Sequence, residues 1–115
     1  MSAQLESTDE NTVHLVGRIG APPVESELPS GDMIASFRVI VARPEGHGST
    51  QRVDTLDCTA WSARVRRSAR TWRKDDVIEI DGSVRRRFFA TSSGRASRVD
   101  IEVSAARMLR RAPNA

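Results

Sequence analysis

Between residues 12 and 19 apolar and polar positions alternate, placing Val13, Leu15, Gly17 and Ile19 on one face. A period of two predicts a strand, and the glycine inside it marks a bulge or a close approach of another backbone. The stretch GAPP at 20–23 stops this strand, and LPSGD at 28–32 reads as a turn, because proline presets φ and glycine supplies positive φ. A second strand is predicted over 33–41, with Ala35, Phe37, Val39 and Val41 facing the core. Residues 43–51 carry two glycines and a proline, which suits a long, mobile loop. Alternation resumes over 53–61, turning Leu56, Cys58 and Ala60 inward and Thr55, Asp57, Thr59 and Trp61 outward.

The period then changes. Val65, Ala69 and Trp72 recur at helical spacing behind Ser62, a good N-cap, while Arg64, Arg66, Arg67, Arg70 and Arg73 take the opposite face. Trp72 reads as the anchor of this helix. Lys74, Asp75 and Asp76 end it, with Asp75 a tolerable left-handed residue. A fourth strand over 77–84 buries Ile78, Ile80 and Val84 around Gly82 and continues through Phe89. TSSGR at 91–95 has hairpin chemistry, and residues 98–103 alternate as a fifth strand; beyond Met108 the chain is expected to fray. The order β-β-β-α-β-β predicts an all-β fold with one helix, the five-stranded OB-fold Greek-key barrel. Its expected limits are 11–108, behind a flexible leader at 1–10 and before a flexible C-terminus at 109–115.

The 115 residues suit one domain, and no apolar run approaches the roughly 20 residues of a membrane-spanning helix. The polar, acidic N-terminus has no signal-peptide character. Cys58 is the one cysteine, so no internal disulfide forms, which fits a reducing cytoplasm. The net charge of +3 hides an uneven distribution: −5 over 1–32, +2 over 33–83 and +6 over 84–115. Of 18 basic side chains 17 are arginine, whose planar fork suits phosphate. The C-terminal third is therefore the candidate face for a polyanion.

Enzymatic chemistry finds little support. His14 and His47 are the only histidines, no zinc-ligand spacing occurs, and no phosphate-cradling glycine loop is present, so neither metal nor cofactor is expected. Asp75–Asp76 and Asp54/Asp57 read as solvated acids balancing arginines, Cys58 as a small buried hydrophobe, and His14 as an ordinary exposed imidazole. Single-stranded nucleic acid asks for a basic groove and flat side chains on which bases stack. Arg85, Arg87 and Phe89 share one strand face, and Trp61 faces outward among polar neighbours, either as a platform or beneath a loop or a subunit. Phe88, of opposite parity, and Phe37 are expected in the core.

These segments resemble, in order, a known family. Residues 11–20 (NTVHLVGRIG), Pro22–Pro23, 28–31 (LPSG), 34–42 (IASFRVIVA), 54–61 (DTLDCTAW), 72–82 (WRKDDVIEIDG) and 84–89 (VRRRFF) are similar to bacterial single-stranded DNA-binding proteins. The resemblance implies an OB-fold that binds single-stranded DNA without sequence preference, in replication, repair or recombination. It also implies a cytoplasmic, nucleoid-associated protein assembled as a homo-oligomer, a tetramer in preference to a dimer, and not an enzyme. Trp61 and Phe89 fall at the family's stacking positions, with Arg85, Arg87, Arg38 and Arg64 as phosphate contacts. Thr55 stands where many members have tryptophan, and loop 43–51 has no aromatic, so stacking is thinner here. The family's acidic C-terminal tip has no counterpart before Ala115. The expectation is therefore a short paralogue of actinobacterial type, without tail-mediated recruitment of other proteins. The competing reading is an OB-fold assembly subunit with weak or no nucleic-acid binding.

Overall fold

The computed structural model describes residues 8–46 and 48–113. The expected leader at 1–10 lies largely outside them, as do His47 and residues 114–115. Among these described residues, six strands and one helix follow in the order β1 (Val13–Ile19), β2 (Val24–Glu27), β3 (Met33–Ala42), β4 (Val53–Ala60), α1 (Ala63–Ala69), β5 (Val77–Thr91) and β6 (Gly94–Arg110). Neighbours in the sheet run β1-β5-β6-β4-β3-β2, and β1 also pairs with β3 through Arg18–Ile40 and Ile19–Val39. That second pairing closes β1, β5, β6, β4 and β3 into the expected five-stranded barrel. Among the described strands only β4–β6 is parallel, through Cys58–Ile101 and Thr59–Glu102.

The alternation along the strands does the folding. Ile19, Ala35, Phe37, Val39, Cys58, Ala60, Ile78, Ile80, Ile101 and Val103 converge inside the barrel. Helix α1 plugs one end: Ser62 Oγ accepts from the Val65 amide at 3.2 Å, Val65 and Ala69 face inward, and Trp72 packs edge-on against Phe37 with ring centroids 5.2 Å apart. Asp75 adopts φ 71°, the left-handed conformation expected of it. Among the described residues, no helix is long and apolar enough to cross a membrane.

Three features depart from the pattern. Strand β2 leaves no signal in the sequence, because VESE has no apolar face. It lies along the edge of β3, and its Glu25 takes Arg66 of α1 and Arg70 at the helix C-cap at 3.3 and 2.5 Å. Instead of fraying beyond Met108, the chain stays paired to Arg110, and Asp76 then anchors Arg111 and Ala112. Asp76, fully buried rather than solvated, accepts from the Arg111 guanidinium at 2.9 Å and from the Ala112 and Arg73 amides at 2.8 Å each. Burial opposes its charge, but those donors outweigh it and hold the carboxyl below the ordinary aspartate value. Finally, Val84 and Phe88, both expected in the core, are exposed. Past Gly82, strands β5 and β6 leave the barrel as a two-stranded ribbon, paired as far as Thr91–Gly94, so no opposite wall covers its inner face.

Gly17 and Gly82 make the barrel's closest backbone crossings. A Cβ on Gly17 would overlap the carbonyl oxygen of Ile40, and one on Gly82 that of Glu102. Gly82 also sits at a register shift in the β5–β6 pairing, where β5 bends from barrel into ribbon. Gly82→Ala should therefore destabilise the fold by about 1–3 kcal/mol, the ordinary cost of overpacking. Urea unfolding checks this, with Gly31→Ala as a poor comparison because its φ is positive and Ser83→Ala as the better one.

Candidate nucleic-acid interface

Side chains that β3 and β4 turn away from the core line an open groove of about 460 Å³. Its floor includes Ser36, Arg38, Ile40, Thr55 and Thr59; the Gly20–Pro22 segment forms one wall and Arg98 of β6 borders the other. Arg38 lies directly across from Asp57, and its Nε donates to that carboxylate at 2.9 Å. The guanidinium is thus well exposed but already partnered. Thr55 leaves the groove without the ring that a tryptophan would add there.

At the Thr59 end the groove meets a network built around Asp100. This carboxylate is only 1% exposed. Thr59 Oγ1 donates to it at 3.2 Å, and Arg87 Nε donates to both its oxygens at 3.2 Å. Arg87 Nη2 also reaches Glu102 at 3.3 Å, so the guanidinium is held from two sides. Its Cζ stands 5.9 Å from the centroid of the Trp61 ring, within the range of a cation–π contact. Trp61 itself is 38% exposed, just beyond the end of β4. The arrangement is a flat ring supported by a fixed cation, beside a polar groove.

The same face continues up the ribbon. Arg85 Nε lies 3.5 Å from Glu102, and Phe89, 46% exposed, follows Arg87 two residues along β5. Arg98 pairs in register opposite Arg87. The surface therefore offers rings and cations in sequence, and a flexible polyanion with planar substituents matches that order.

The model of the Single-strand binding protein family matches residues 10–110. The chain belongs to that family. It is 29% identical over 86 residues to the single-stranded DNA-binding protein of Halalkalibacterium halodurans, a match covering 74% of this chain and 51% of that one. Single-stranded DNA-binding protein 3 of Listeria innocua is 30% identical over 86 residues, covering 74% and 54%. The chain thus spans about half the length of the curated relatives it matches. In three dimensions it superposes on a chain from the Plasmodium falciparum SSB complex with ssDNA with a TM-score of 0.72, at 20% identity over 90% of this chain and 98% of that one. At that identity the likeness is one of fold.

Within this family fold, the residues singled out from sequence are distributed unequally. Trp61 and Arg87 come together, Arg38 lines the groove, and Arg85 and Phe89 extend the same face along the ribbon. Arg64 is exposed on α1 and is not part of the groove lining. Thr59, expected outward and polar, does face away from the core but is covered and bonded to Asp100. Arg98 and Asp100 are additions that sequence reasoning did not single out. Folding residues 84–103 as a hairpin in register would have found them, since they stand opposite Arg87 and Arg85.

Two titratable groups complete the picture. The Cys58 thiol is pushed up to about 12 by burial, with Asp100 and Asp57 adding to the effect, so it is no nucleophile. His14, exposed on β1, is not solitary: Nδ1 lies 2.7 Å from Asp81 and Nε2 3.4 Å from Glu79. The hydrogen bond to Asp81 raises its pKa above the ordinary imidazole value, aided by both carboxylate charges and opposed by desolvation. The imidazolium's contribution to stability is therefore complete below the unfolded pKa of 6.5 and is lost as pH rises through the higher folded value. NMR titration of His14 should give a midpoint above 6.5 that falls back in Asp81→Asn. In the native protein, Cys58 should resist a thiol reagent until the chain unfolds.

Proposed function

We propose that this chain binds single-stranded DNA without marked sequence preference, laying the strand along the β3–β4 groove and over Trp61 onto the outer face of the ribbon. The observation that carries this reading is the exposed indole of Trp61 beside Arg87, whose partner Asp100 also bonds Thr59 of the groove lining. Family membership and the DNA-binding names of the relatives support the same ligand. Trp61 and Phe89 act as stacking platforms, and Arg38 and Arg85 meet phosphates at the edge of their carboxylate partners. Arg98 joins them, having no carboxylate partner among the described residues. Arg87 serves mainly to hold Trp61, because Asp100 and Glu102 already occupy its donors. Arg64 contributes to general attraction from α1. No step of bond-making is involved: the protein is a binder, not an enzyme, and it works as a homo-oligomer, a tetramer in preference to a dimer. Its place is on exposed single strands in the bacterial cytoplasm during replication, repair or recombination.

Since the arginines of this face are largely engaged by carboxylates, stacking carries more of the affinity than the net charge suggests. Oligo-dT should quench the tryptophan fluorescence. Trp61→Ala should abolish the quench and weaken binding roughly 5- to 150-fold, corresponding to one stacked base at about 1–3 kcal/mol. The logarithm of affinity should fall with the logarithm of salt by about 0.7 per phosphate neutralised. A quench of undiminished size in Trp61→Ala, which leaves only the buried Trp72, would remove the stacking model.

A further inference from the structure

The ribbon has a second face that the groove does not use. Alternation along β5 and β6 places Val84, Arg86 and Phe88 on it with Val99, Ser97 and Arg95 opposite, continuing the line of the buried Ile101 beyond the barrel rim. Phe88 is 65% exposed, more than any other aromatic of the chain, and Val84 and Val99 are exposed beside it. A pocket of about 460 Å³ opens between Phe88, Arg95, Ala96 and Ser97. The charges differ in kind from those of the outer face. There, Arg85 and Arg87 are answered by Asp100 and Glu102. On the Phe88 face the Arg86 guanidinium bonds only the neutral Ser97 hydroxyl, at 3.1 Å, and among the described residues neither Arg86 nor Arg95 has an acidic partner. Arg98 on the outer face is likewise without a carboxylate, but two such cations, Arg86 and Arg95, flank the ribbon's most exposed ring.

We propose that this face is a second single-strand binding site, in which a nucleobase stacks on Phe88 against Val99 while Arg86 and Arg95 take the neighbouring phosphates. The proposal rests on the single-strand function proposed for the outer face and extends it: the strand grips the ribbon on both faces rather than passing over one. Charge selects the occupant. An apolar patch meant for a second copy of this chain would bury two unpaired guanidiniums, a costly arrangement without acids opposite, whereas a phosphodiester flanking a planar base satisfies ring and cations together.

The test uses the full chain and a fluorescein-labelled oligo-dT of about 16 nucleotides, the upper end of what one such barrel covers. Phe88→Ala should lower affinity roughly tenfold while the tryptophan quench at saturation stays as in the native protein, because Trp61 is untouched. Arg86→Gln with Arg95→Gln should flatten the salt dependence by the equivalent of about two phosphates. A 5-iodouracil oligomer should cross-link at Phe88 itself, distinguished from its neighbour Phe89 by fragment sequencing of the peptide they share. Native affinity in Phe88→Ala, with cross-links confined to the Trp61 side, would overturn the second site and leave the first standing. A drop in the mass of the DNA-free protein on Phe88→Ala would overturn it in favour of a contact between copies. Failure of the native chain to bind the oligomer at all would overturn both sites. Since Phe88 touches no core, its removal should leave the melting temperature near native, so lost binding reports the site.

Discussion

A carboxylate with almost no access to water has to be answered by donors, and Asp100 is answered from two directions. Thr59 reaches it from β4 and Arg87 from β5, so one buried charge ties the parallel β4–β6 contact to the base of the ribbon. Removing one partner of such a group leaves the other polar atoms stranded, at a cost of roughly 3–5 kcal/mol for a buried ion pair. That constraint orients Arg87, and Arg87 in turn lies over Trp61. The exposed indole of Trp61 therefore lies beside a guanidinium that a buried carboxylate fixes in place.

The barrel supplies the second constraint. Its closure through β1 and β3 requires Gly17 to let the Ile40 carbonyl pass, and the exit of the ribbon requires Gly82 beneath Glu102. Asp76 does comparable work at the other end: its buried carboxyl gathers the turn after α1 and the residues just past β6, while its main-chain carbonyl accepts from the Ile19 amide at the close of β1. Both aspartates show acids of this arginine-rich chain acting as internal fasteners. The visible charge surplus overstates what remains for a polyanion, since Arg38, Arg43, Arg66, Arg70, Arg85, Arg87, Arg107 and Arg111 all have carboxylate partners.

Much of this is legible in the chain itself. Strict alternation around Leu15, Phe37, Cys58, Ile80 and Val103 specifies strands and inward faces, because burial on one side of a sheet forces a period of two. Ser62 and the spacing Val65–Ala69–Trp72 specify the helix for an equally local reason. Strand β2 escapes because an edge strand with no apolar face leaves no such trace. Phe88 and Val84 are misplaced because parity tells which side a residue faces, not whether anything stands opposite; the barrel wall ends at Gly82, and the pattern does not say so. Asp100 and Arg98 are missed for a third reason. Their meaning lies in cross-strand register, which depends on where the turn at 91–94 falls.

A strand lying on the outer face of β4 and the ribbon, with Trp61 as its platform, would touch one of the two indoles of this chain and leave the other alone. Trp61 is partly exposed beside Arg87, and Trp72 is buried against Phe37. A ¹H–¹⁵N spectrum recorded during addition of oligo-dT reads both at once. The expected result is a large, saturable shift of the Trp61 indole N–H, together with the amides of Thr55, Thr59, Arg98 and Phe89, while the Trp72 signal stays in place. A Trp61 indole that does not move while the strand binds, with shifts gathered instead on α1 or the outer face of β1, would contradict it.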